Sequence, residues 1–140
     1  MTGLVDSIDG YRPEATSRKH LLLVEDEESI RLTLPQILAK YGFEVTVSAT
    51  LSDALDEIKI HNYDILVSDL NVSEINGGFA VVEEMHTMQP RCINFILTGS
   101  PTEDTAQTKA RGVAHYFMKP VEIKHLIHTI KLELYVRDSG

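Results

Sequence analysis

The sequence predicts an α/β domain with a doubly wound, five-stranded parallel sheet and five helices. Three observations carry this. From residue 19 onward, short apolar runs alternate with segments of helical spacing, five times over. The runs HLLLVE and CINFIL are nearly unbroken in apolar character, as strands covered on both faces are. The 140 residues, 43% hydrophobic and 24% charged, suit a single folded domain. Right-handed crossovers leave few strand orders for such a chain, and the flavodoxin-like order 2-1-3-4-5 is the expected one.

The elements follow from local chemistry. Residues 1–18 mix Gly, Pro, Asp, Ser and Thr without a period and read as a flexible leader. The folded domain is placed at 19–137, with 138–140 as a tail or the start of a linker. The first strand is His20–Glu25. Ile30, Leu34, Ile37, Leu38 and Tyr41 then form a helical stripe, closed by Gly42. Pro35 falls inside that helix, where it loses a hydrogen bond and crowds the Arg31 carbonyl, so a kink is expected. Phe43–Ser48 is a short second strand, and Leu51, Ala54, Leu55 and Ile58 mark the second helix. Tyr63–Asp69 is the third strand. Gly77 and Gly78 break the chain before a third helix carrying Val81, Met85 and Met88, closed by Pro90. Cys92–Leu97 is the fourth strand. Glu103–Arg111 is a weak fourth helix ending at Gly112. Ala114–Met118 is the fifth strand, and Ile123, Ile127, Ile130 and Leu134 form the stripe of the last helix.

Composition narrows the function classes. Thirteen basic residues against 21 acidic give a net charge of −8, and the basic residues are scattered, which disfavours a nucleic-acid binder. No apolar stretch approaches the roughly 20 residues of a membrane span, and no secretory signal is evident. The single cysteine, Cys92, fits a reducing compartment and reads as a small core residue.

In an open parallel sheet, ligands bind beyond the carboxyl ends of the strands, where the strand order reverses. The first strand is followed by Glu25, Asp26, Glu27 and Glu28, and the third ends in Asp69. Glu27 and Glu28 read as first-turn acids that complement the helix macrodipole. Strands one and three are neighbours in the expected order, so Glu25, Asp26 and Asp69 share one cleft. Carboxylates this close repel unless a cation sits among them, and hard oxygen ligands suit Mg²⁺. Thr98 after strand four and Lys119 after strand five flank the same cleft. A cation, a lysine and a hydroxyl around a carboxylate make a site for a phosphoryl group, with Asp69 as the nucleophile. Two rival phosphate sites are excluded: E-D-E-E stands where a dinucleotide-binding glycine motif belongs, and no P-loop string occurs.

These residues resemble the receiver domain of two-component response regulators, over about Lys19 to Leu134. The resemblance rests on Glu25–Asp26 in LLLVEDEES, Asp69 in ILVSDLNV with Gly77 eight residues on, Thr98 in FILTGS, and Lys119 in YFMKP. It implies that Asp69 is the phospho-acceptor and attacks a phosphohistidine on a sensor histidine kinase or phosphotransfer protein. It implies Mg²⁺ held by Asp26, Asp69 and the Asn71 backbone carbonyl, with Glu25 reaching the ion through water. Lys119 would pair with phosphoryl oxygens and Thr98 would hydrogen-bond one. Tyr116 matches the switch aromatic that turns inward as Thr98 moves, and the bond before Pro120 is expected to be cis. The output would be a downstream protein bound on the face of the fourth helix, fifth strand and fifth helix, with a weak homodimer through that face. No direct nucleic-acid or membrane contact is implied, the setting is cytoplasmic, and the domain would catalyse only its own phosphorylation and dephosphorylation.

This chain departs from the family in four places. Glu25 stands where Asp is common. Ser73 replaces the usual Pro four residues after the acceptor, which predicts a looser loop. Gly99 follows Thr98 where Ala is commoner, and Asn71 and Ser100 occupy positions that tune phosphoryl lifetime. A pseudo-receiver, binding partners without using the phosphate, is the alternative reading. A small phosphohydrolase is opposed by Asn71, which stands where its second carboxylate belongs. His125 and His128, at i and i+3, read as a solvated helix face, His115 as a surface histidine, and Met85 and Met88 as core filling.

Overall fold

The computed structural model describes residues 18–99 and 111–140. The strands are β1 (Lys19–Val24), β2 (Phe43–Ser48), β3 (Ile65–Asp69), β4 (Ile93–Thr98) and β5 (Val113–Met118). The described helices are α1 (Glu28–Lys40), α2 (Leu51–Ile60), α3 (Gly77–Met88) and α4 (Ile123–Ser139). All strand pairs are parallel and the order is β2-β1-β3-β4-β5. The described residues thus hold four helices where five were expected. The span read as the fourth falls outside them except for Arg111, which lies in a turn. The expected leader also lies outside them, up to residue 17.

Period-two alternation in the central strands builds two cores. Leu21 and Leu23 of β1, Ile65 and Val67 of β3, and Phe95 and Leu97 of β4 point to one face. They meet Leu34 and Leu38 of α1 and Leu126, Ile127, Ile130 and Leu134 of α4. Leu22, Val24, Leu66 and Ile96 point to the other face and meet Ala54 and Ile58 of α2 and Val81, Val82 and Met85 of α3. Each large apolar side chain buried this way contributes about 1.5–3 kcal/mol, which is why three central strands can be apolar on both faces. The edge strands β2 and β5 mix buried, half-buried and exposed positions instead.

Local signals explain most boundaries. Gly42 takes φ +97° just past α1, in the left-handed conformation that closes many helices. Thr50 caps α2 by accepting the Asp53 N–H at 3.1 Å. Pro35 sits inside α1, which runs unbroken from Glu28 to Lys40. One reading needs correcting. Met88, expected in the core, is 49% exposed at the last turn of α3. Gln89 reaches across to α2 there: its side chain accepts the Tyr63 N–H at 2.7 Å and donates to the Ile58 and His61 carbonyls at 2.9 and 2.7 Å. The last helix runs through Ser139, and Asp138 is anchored by Lys19 at 3.1 Å.

Candidate functional site

The carboxyl ends of β1, β3, β4 and β5 converge on one cleft. Glu25 follows β1 directly, and its N–H donates to the Ser48 carbonyl at 3.0 Å, fixing the strand end to β2. Its side chain is completely buried. Asp69 is the last residue of β3 and is 8% exposed. Asp26 is exposed, on the turn into α1. Glu25, Asp26 and Asp69 each offer a carboxylate oxygen, and these lie within 4.8 Å of one another.

Lys119 enters from the end of β5. The Lys119 N–H donates to the Thr98 carbonyl at 2.8 Å, tying the ends of β4 and β5 together. The Lys119–Pro120 bond is cis, as the resemblance led us to expect. The Lys119 ammonium lies 3.0 Å from Glu25 Oε1, 3.3 Å from Asp69 Oδ1 and 3.7 Å from Glu27 Oε1. It also donates to Glu25 Oε2 at 3.2 Å, and that oxygen accepts the Glu27 N–H at 3.1 Å. Both oxygens of Glu25 thus face the lysine.

Burial and pairing oppose each other at these groups. Burial pushes the Glu25 and Asp69 carboxyls above their usual range, although Lys119 pulls both down. The nearby charge of Asp26 raises Asp69 further, and the Asn71 N–H, bonded to its carboxylate, lowers it. Burial also works against the charge on Lys119, but Glu25 and Asp69 outweigh it and hold the ammonium above its ordinary pKa. The cluster thus sets three carboxyl groups beside one ammonium. Its donors are hard oxygens, the set that suits Mg²⁺.

The remaining predicted residues flank this centre. Thr98 ends β4, 3% exposed, one position beyond Leu97, the residue that pairs with Asp69. Asn71 is exposed, and its side-chain oxygen accepts the Asn76 N–H at 2.8 Å. Tyr116 is half-buried against the α2–α3 core and meets the Phe79 ring edge-on, with centroids 6.4 Å apart. The Arg111 guanidinium stacks over the same Phe79 ring at 4.3 Å and pairs with Glu83 at 3.1 Å. Cys92 is 6% exposed, and burial raises its thiol pKa. His115 pairs with Glu133 at 2.8 Å, and His125 packs edge-on to Phe117.

Three contributors escaped the sequence reading. Glu27, read as a macrodipole acid, shares Lys119. Gly78 must be glycine because a Cβ there would collide with the Asp69 carbonyl oxygen. The pair Gly77–Gly78 was a visible signal, but only as a chain break. Ser73, noted as a departure, hydrogen-bonds Asp26.

The receiver signature agrees with this geometry across most of the chain: residues 21–131 match the response regulator receiver domain. The chain belongs to that family. A solved CheY-like receiver domain from Methanospirillum hungatei superposes with a TM-score of 0.81 at 27% identity, covering 88% of this chain and 98% of that one. Among curated proteins, the cell cycle transcriptional regulator CtrA of Caulobacter vibrioides is 31% identical over 114 residues, 79% of this chain and 48% of that protein. The transcriptional regulatory protein ZraR of Salmonella typhimurium is 25% identical over 122 residues, 86% of this chain and 27% of that protein. The receiver chain therefore spans half or less of these curated relatives. None of its described helices is long and apolar enough to cross a membrane.

Proposed function

We propose that this receiver accepts a phosphoryl group on Asp69 from a phosphohistidine of a sensor histidine kinase or phosphotransfer protein. The observation that carries the reading is Lys119 held 3.3 Å from Asp69 Oδ1 within a cluster of three carboxylates. An Asp69 oxygen attacks phosphorus, the N–P bond of the donor breaks, and the imidazole leaves with its electron pair. Lys119 shifts from its carboxylate partners to the incoming phosphoryl oxygens, and the Thr98 hydroxyl donates to one of them. Asp26, Asp69 and the Asn71 carbonyl are the residues that would hold Mg²⁺, with Glu25 acting through water. When bound, the ion supplies neutralisation of the charge that gathers as the phosphoryl group arrives.

Tyr116 reports the change. It sits on β5 beside Phe79, and a shift of Thr98 alters the room available to its ring, while the downstream protein binds on the face of the expected fourth helix, β5 and the last helix. A weak homodimer through the same side, a cytoplasmic setting and catalysis confined to the domain's own phosphorylation and dephosphorylation complete the reading.

The test is intact mass after incubation with acetyl phosphate, with and without Mg²⁺, beside Asp69→Asn. One added phosphoryl group that needs both Mg²⁺ and Asp69 is the expected result. A pseudo-receiver would show no gain and would not bind beryllofluoride with Mg²⁺. A receiver that loses its phosphoryl group quickly would still bind that mimic.

A further inference from the structure

We infer that Ser73 is a positioning residue for Asp26, holding its carboxylate toward the cation site through a backbone hydrogen bond. This rests on the reading of the acidic cleft as a Mg²⁺ site. Ser73 takes φ +64°, a left-handed conformation uncommon for a residue other than glycine. In that conformation it makes two contacts to distant segments. Its N–H donates to Asp26 Oδ2 at 3.3 Å, across 47 positions of sequence. Its Oγ accepts the Leu51 N–H at 2.9 Å, across 22 positions. Leu51 is the first residue of α2, so that N–H has no partner within its own helix. One residue thus joins the turn after β1, the loop after β3 and the start of α2.

The sequence reading expected this position to loosen the loop, because the family's usual proline is missing. In the structure Ser73 is held at both its N–H and its hydroxyl. Proline could do neither: it has no N–H, and its ring fixes φ near −65°. The left-handed turn is therefore coupled to the identity of the residue. Its value to the site follows from electrostatics. Asp26 is exposed and stands beside two other carboxylates, so repulsion and hydration both favour swinging it out to water. A hydrogen bond on one oxygen restrains that rotation, as outer partners of ligand carboxylates do in metal sites.

The experiment measures Mg²⁺ affinity by calorimetry on the full chain, with melting temperature recorded for each variant. Ser73→Pro is expected to weaken Mg²⁺ about tenfold or more. Ser73→Gly keeps the N–H and accepts φ +64°, so it should recover most of that loss while melting lower, because Leu51 loses its acceptor. Equal Mg²⁺ affinity in folded Ser73→Pro and wild type would overturn the inference, as would Ser73→Gly losing as much as Ser73→Pro. Should Ser73→Pro not fold, the Ser73 amide resonance of the wild-type chain decides. It is expected to shift on Asp26→Ala, and an unmoved resonance overturns the inference. A wild-type chain that binds no Mg²⁺, with the amide resonance still coupled to Asp26, would instead refute the metal reading on which the proposal rests.

Discussion

The two ends of the sheet use the same kinds of charged residue to opposite effect. At the carboxyl end, Glu25, Asp69 and Glu27 share Lys119, and burial holds the Glu25 and Asp69 carboxyls above their usual range. At the amino end, Arg137 donates to Asp64 Oδ1 at 3.0 Å, to Asp138 Oδ1 at 2.9 Å and to the Arg91 carbonyl at 3.1 Å. Asp138 also meets Lys19, and its carboxyl is held below the usual range, first by its hydrogen bond to Arg137. Burial works against the charge on Arg137, yet these partners keep its pKa above the ordinary value. The amino end satisfies its charges and binds α4 to β1, β3 and β4. The carboxyl end leaves negative charge uncompensated where a cation and a phosphoryl group would arrive.

The largest expected effect breaks the satisfied end. Arg137→Ala takes one partner from Asp64, which keeps the His20 N–H, and one from the Arg91 carbonyl, and should cost about 2 kcal/mol of stability. Urea denaturation measures it, and an unchanged midpoint would mean that the two ends do not differ as described. A smaller effect of opposite sign is expected at the other end. Asp69→Asn removes a carboxylate whose charged form burial disfavours and should make the metal-free domain modestly more stable at neutral pH. The sign follows from linkage. A carboxyl raised in the folded state favours folding at low pH, and that contribution is lost as pH rises through its raised pKa. The advantage of Asp69→Asn should therefore shrink as pH falls through that range, which melting curves against pH would show. A variant less stable than wild type at neutral pH would contradict the uncompensated charge.

The smallest effect tests the amino end without unfolding it. Burial and the 2.6 Å hydrogen bond to Glu57 raise the Tyr63 hydroxyl to about 12. Alkaline titration followed by tyrosinate absorbance should show Tyr63 ionising late, and Glu57→Gln should bring it down. Co-titration of Tyr63 with the exposed tyrosines would show that its pairing is weaker than the geometry indicates.

Much of the fold was legible because its signals are local. Alternation in LLLV and the stripe of Ile30, Leu34 and Leu38 are properties of short windows, and both cores follow from them. Met88 misled because helical spacing cannot say where an apolar face stops, and Gln89 made better contacts at that turn. The cleft was legible at the level of strand ends, since parallel strands bring their carboxyl ends to one edge. Its internal pairing was not. Glu27 looks identical in sequence whether it serves a helix dipole or a lysine.

The residues alone determined the strand order, the two buried faces and the convergence of Glu25, Asp26, Asp69, Thr98 and Lys119 on one edge of the sheet. These depend on periodicity and on the rule that parallel strands point the same way. Only the tertiary structure decided which carboxylates hold Lys119, that Glu25 is wholly buried, and that Ser73 reaches both Asp26 and α2. Those outcomes depend on hydrogen bonds between segments 22 to 94 positions apart, and on how much water each carboxylate loses. Neither the bonds nor the lost water is a property of any short stretch of chain.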